Sequence, residues 1–123
     1  MTNITNGIIT MNRGDTFSMP LVINTGTKFA PNYYTITSKD TIYFAIEEYN
    51  QPFEHAIVRK VFTTEDLKDG DVLIKLTSKD TQFLLPGEYY YEIKLRHVEN
   101  EGEENEEEYI DTIVPKRKFV IIE

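Results

Sequence analysis

The sequence predicts an all-β fold, an antiparallel sandwich of seven or eight short strands in one domain spanning residues 1–123, and three observations carry that prediction. Ile, Val and Thr number 14, 7 and 14, together 35 of the 123 residues, against three Ala. Branched side chains suit a pleated surface, and Ala-poor chains rarely build helical bundles. Apolar residues recur at every second position in several segments, and clusters of turn-forming residues separate those segments. With strands spaced by roughly 8 to 15 residues and no long helical pattern between them, two packed antiparallel sheets are the expected architecture. A small closed barrel is the alternative.

Ile8 to Met11 opens the chain as a short strand. In residues 15–23 the odd positions Phe17, Met19, Leu21 and Ile23 share a face, and Pro20 points outward at an edge or bulge. Residues 41–48 place Ile42, Phe44 and Ile46 on one face and Tyr43, Ala45 and Glu47 on the other. Residues 71–77 alternate cleanly, with Val72, Ile74 and Leu76 facing in. The longest strand covers 88–98, where Tyr89, Tyr91, Ile93 and Leu95 alternate against Glu88, Tyr90, Glu92, Lys94 and Arg96. Residues 56–62, 109–114 and 118–122 are strand-like with apolar residues in both phases. Only residues 64–68 and 78–84 have room for a helical turn, and both are too short to form a layer.

Charge and composition narrow the chemistry. Thirteen basic against 21 acidic residues leave a net charge of -8, so no cationic surface draws nucleic acid. With no Cys, disulfides, thiolate metal sites and cysteine nucleophiles are excluded. No apolar run approaches membrane-spanning length and the first residues lack a secretory pattern, so a non-membrane product made in the cytoplasm is expected.

Several motifs have a structural reading that outweighs the functional one. Leu85-Pro86-Gly87-Glu88-Tyr89 has the Gly-x-Tyr entry with which sandwich domains turn a corner, the Tyr hydroxyl bonding to the backbone. Arg13-Gly14-Asp15 spells an adhesion tripeptide but reads as a turn with Gly14 at positive φ. Thr37-Ser38-Lys39-Asp40-Thr41 repeats as Thr77-Ser78-Lys79-Asp80-Thr81, two similar loops at strand ends. Residues 99–108 hold seven Glu and no cation, a solvated hairpin loop without the ligand spacing of a calcium loop.

His55 and His97 lie 42 residues apart, and neither a nucleophile elbow nor a phosphate loop is present. The expectation is therefore no enzyme, no catalytic or metal-ligating residue and no cofactor. The interaction candidates are Glu103, Glu104 and Glu106 of the acidic run and Lys116, Arg117 and Lys118 of the basic triplet. Their opposite charges are suited to steering neighbouring subunits together. Exposed aromatics such as Tyr33, Tyr34 and Tyr90 would instead favour stacking on a glycan.

The ordered segments Ile8-Ile9-Thr10-Met11-Asn12-Arg13-Gly14-Asp15-Thr16-Phe17, Asp40-Thr41-Ile42-Tyr43-Phe44-Ala45-Ile46 and Gly87-Glu88-Tyr89-Tyr90-Tyr91-Glu92-Ile93 carry a further signal. Together they resemble the N-terminal domain of tailed-phage baseplate upper proteins. The resemblance implies an immunoglobulin-like sandwich acting as an assembly or adaptor module of a tail or baseplate. Its implied partners are copies of itself and other phage structural proteins, its implied location is the virion, and it offers no catalytic residue. The family tends to carry a Gly-containing turn where this chain has Thr37-Ser38-Lys39-Asp40, which leaves a neck or capsid decoration protein as the alternative.

Overall fold

The computed structural model describes residues 7–25, 29, 30 and 32–123, with residues 3–5 described as backbone alone. Its strands are β1 (Asn3–Thr5), β2 (Ile8–Asn12), β3 (Phe17–Leu21), β4 (Ile23–Asn24), β5 (Tyr33–Tyr34) and β6 (Asp40–Glu47). They continue as β7 (Val58–Phe62), β8 (Leu67–Lys68), β9 (Asp71–Leu76), β10 (Gly87–Glu99) and β11 (Glu107–Ile122). Helical turns are confined, among the described residues, to Phe53–His55, Thr64–Asp66 and the four-residue α1 (Ser78–Thr81). The fold is all-β.

The strands form a six-stranded sheet in the order β1-β2-β11-β10-β6-β7, a three-stranded sheet β3-β9-β8 and the pair β4-β5. Two features depart from the expected antiparallel set of seven or eight strands. Short segments such as β1, β5 and β8 add pairings too brief to leave an alternation in the sequence. In addition β2 runs parallel to β11, in register from Phe119 opposite Ile9 to Ile122 opposite Asn12. Turn residues predict antiparallel neighbours in sequence, whereas this pair joins segments more than 100 residues apart, and local chemistry cannot set its direction. Residues 109–114 and 118–122, expected as separate strands, are one strand that passes Pro115 through two register irregularities against β10.

Alternate residues of the two larger sheets meet in a single hydrophobic cluster. Ile9, Ile42, Phe44, Ile46, Ile93 and Phe119 from the six-stranded sheet and Ile74 and Leu76 from the three-stranded one are wholly buried. Phe44 stacks on Tyr91 at 5.7 Å between ring centroids, and Phe119 meets Tyr91 edge-on at 6.3 Å. Pro20 lies exposed on β3, an edge strand whose one ladder is with β9, where a residue without an N–H is tolerated.

Turn chemistry positions the strand ends. The repeated Thr-Ser-Lys-Asp loops share one hydrogen-bond pattern, the Asp carboxylate accepting from the Thr N–H at 2.8 Å for Thr37–Asp40 and 2.6 Å for Thr77–Asp80. Thr63–Asp66 makes the same bond at 2.9 Å. Tyr89 at the entry to β10 donates its hydroxyl to the Leu85 carbonyl at 2.7 Å, the bond expected of a corner tyrosine. Gly14 has φ 81°, as the turn reading of Arg13-Gly14-Asp15 requires, and Arg13 pairs with Glu123 at 2.8 Å.

Candidate functional site

The β10–β11 hairpin carries all six interaction candidates. Its loop, residues 100–106, turns through positive φ at Asn100 and Gly102 and presents Glu103, Glu104 and Glu106 to solvent. The acidic run is less isolated than its sequence implies, because the strands continue into it. Glu99 pairs with Lys39 at 2.7 Å and with His97 at 2.7 Å, and Glu108 pairs with Arg96 at 2.7 Å. Cations on β6's leading turn and on β10 are thus brought beside carboxylates that are remote from them in sequence. Lys116, Arg117 and Lys118 sit far along β11, nine or more residues from Glu107 at about 3.3 Å each, so about 30 Å separates the two charged groups.

The three cations have different surroundings. Lys116 donates to the Gln51 carbonyl and lies 4.0 Å from Glu47, while Lys118 lies 3.8 Å from Glu88. Arg117 runs alongside Gly7, leaving no room there for a side chain.

Two functional-looking clusters escape sequence reasoning. The first is on the face of the six-stranded sheet away from the core, where the alternation places Glu47 and Glu92 opposite the apolar residues. Glu92 stands opposite Ala45 and Glu47 opposite Tyr90, which makes the two carboxyls diagonal neighbours. Glu47 is wholly buried and Glu92 is 6% exposed. The segment 49–57 folds back over this face. Phe53 meets Tyr43 edge-on at 6.2 Å beneath the Arg59 guanidinium at 4.5 Å, and Tyr49 packs on Tyr90 at 5.8 Å.

Neither Glu47 oxygen has a hydrogen-bond partner, and burying an unbonded carboxylate favours its protonated form. Burial and the adjacent Glu92 push the Glu47 carboxyl up to about 7, against the opposing pull of Lys116 and Lys94.

The second cluster joins the turn before β6 to β10. The Asp40 carboxylate, fully buried, accepts from the Tyr34 hydroxyl, from the Thr37 N–H at 2.8 Å and from His97 Nδ1 at 2.6 Å. Burial alone would raise its pKa, but these bonds outweigh burial and hold it below the usual carboxylate range. With Glu99 on its other nitrogen and Asp40 on this one, His97 is raised, and burial plus Asp40 push Tyr34 up to about 12. Every polar group here is engaged, which makes the cluster a rigid strap between strands. Both ring nitrogens of its His97 are taken up by carboxylates, Nδ1 by Asp40 and Nε2 by Glu99.

The aromatic candidates do not come together. Tyr33 and Tyr34 line a groove with residues 69–71, whereas Tyr90 lines another with Tyr49, Asn50 and Lys116. His55 is exposed and touches Gln51 at 3.4 Å, remote from the His97 cluster in the hydrogen-bond network. Among the described residues no three His, Asp or Glu side chains are placed to hold a metal ion, and no helix is long and apolar enough to cross a membrane. No family model, curated protein or solved structure matches this chain.

Proposed function

We propose that this protein is a non-enzymatic virion structural protein, an assembly or adaptor module of a phage tail or baseplate built on an immunoglobulin-like sandwich. The observation that carries the reading is the long β10–β11 hairpin, which bears an acidic tip and a basic band about 30 Å apart along one strand. Charges so separated cannot neutralise each other within one molecule, and they are complementary between neighbours. The ordered motifs that resemble baseplate upper proteins lie on the same framework, in β2, β6 and β10. A single core shared by two sheets and the Tyr89 corner bond support the immunoglobulin-like part. The parallel β2·β11 pair is a local elaboration of it.

The partners in this reading are copies of the chain itself and other phage structural proteins, recognised by surface complementarity without a cofactor. Steering by the charged groups makes the association rate fall as salt rises from about 0.05 to 0.5 M, where the screening length shrinks from roughly 14 to 4 Å. A rate independent of salt refutes the steering. Mass spectrometry of particles purified from cells that make this protein tests the virion assignment. Stoichiometric recovery with the particles is expected, and loss during purification refutes it.

A further inference from the structure

Residues 107–118 of β11 have β10 on one side and, among the described residues, no strand on the other, because β2 reaches only Phe119–Ile122. An uncovered edge of this length is a template for another strand unless something blunts it. Two devices do so in its second half: Pro115 has no N–H to donate, and the register against β10 shifts between Tyr91 and Lys94. What pairs with such an edge must therefore be selected by side chains more than by main-chain ladder.

The side chains form a charge palindrome about Thr112. Five residues either side stand Glu107 and Arg117, four either side Glu108 and Lys116, six either side Glu106 and Lys118. Between them Tyr109 mirrors Pro115, Ile110 mirrors Val114 and Asp111 mirrors Ile113, so the ends are opposite in charge and the middle is mostly apolar apart from Asp111 and Thr112. Tyr109 and Ile110 are 50% and 56% exposed. The faces agree at the charged ends, though Ile110, opposite Arg96, and Val114, opposite Ile93, lie on different faces. Glu107 lies opposite Glu99 and Arg117 opposite Tyr91, and positions 91 and 99 of β10 share a face, so Glu107 and Arg117 do too. The two register shifts run in the same direction and add to two residues on β11, which keeps these two positions on one face.

We propose that two copies of this chain associate antiparallel along this edge, about a twofold axis at Thr112. Each Glu107 then faces the Arg117 of the other copy, each Glu108 its Lys116 and each Glu106 its Lys118. The interface is isologous, so every favourable pair occurs twice. Sliding the register by two residues places Glu107 against Pro115 or Phe119 and loses the matched ends, which gives charge the job of fixing register. The proposal names the self-contact of the assembly reading above and rests on that reading for its setting.

The test uses the full chain in sedimentation equilibrium, with circular dichroism confirming that each variant folds. E106K/E107K makes both ends of the edge basic, and R117E/K118E makes both acidic. Each variant alone is expected to dimerise about tenfold more weakly than the unaltered chain or worse, and a 1:1 mixture of the two is expected to recover dimers. A monomeric unaltered chain, dimers indifferent to both variants, or a mixture of folded variants that recovers nothing would each overturn the proposal. Recovery by the mixture together with absence of the protein from particles would keep this interface and refute the virion reading.

Discussion

Replacing Glu47 with Gln should flatten the fall in stability that the unaltered protein shows between about pH 5 and 8. The Glu47 carboxyl has its pKa raised from 4.5 to about 7 in the folded state, by burial first and Glu92 second. A raised folded-state pKa means that the native protein holds the proton more tightly than the unfolded chain. The associated stability is fully present below about 4.5 and is lost as pH rises through about 7. The difference of about 2.5 pH units corresponds to roughly 3 kcal/mol. For a chain of this size about 3 kcal/mol is a change near 10 °C in Tm. His97, also raised, adds a loss in the same direction, but it is common to both proteins and cancels in the comparison. Urea denaturation at several pH values measures the two curves. Converging stabilities at low pH and a variant superior by about 2 to 3 kcal/mol at high pH are expected. Parallel curves would show that Glu47 is ionised in the native protein and refute the raised carboxyl.

Leu76→Ala should cost about 2 to 5 kcal/mol, since Leu76 is wholly buried on β9, and a loss under about 0.5 kcal/mol in denaturant titration would contradict its place in the core. Tyr89→Phe removes the bond to the Leu85 carbonyl with the ring retained, and about 1 kcal/mol of stability should go with it by the same assay. Replacing residues 100–106 with a brief Gly/Ser turn should leave Tm nearly unchanged or raise it, because like charges are removed and Glu99 and Glu108 keep their partners. Calcium that raises Tm of the intact chain and not of the shortened one would show instead that the loop holds a cation.

Legibility in the sequence followed what local chemistry encodes. Strand β9 and the inner face of β10 were readable because one face is mostly apolar and the other mostly polar, a pattern that a helix would scatter. The same rule did not show that Glu47 and Glu92 are buried. Their alternation identified the face correctly, but the cover supplied by Phe53, Tyr49 and the rest of the segment 49–57 depends on a loop folding back. Period-two patterning is blind to that step. A weak signal existed in Ala45, small and apolar on the face opposite Ile42, Phe44 and Ile46. The parallel pairing of β2 with β11 and the union of two segments across Pro115 were illegible for related reasons, since each depends on contacts remote in sequence. Among the six interaction candidates, charge was readable and environment was not. Lys116, apparently like its two neighbours, is anchored on Gln51 and faces a buried carboxyl.

The central claim is that this domain is a built-in part of a virion tail or baseplate, and gold-labelled antibody against the intact protein on purified particles tests it most directly. Label concentrated at the tail end in electron micrographs is the predicted result. Label on capsids or necks would move the module elsewhere in the particle, and particles that bind no label while the free protein does would contradict the account.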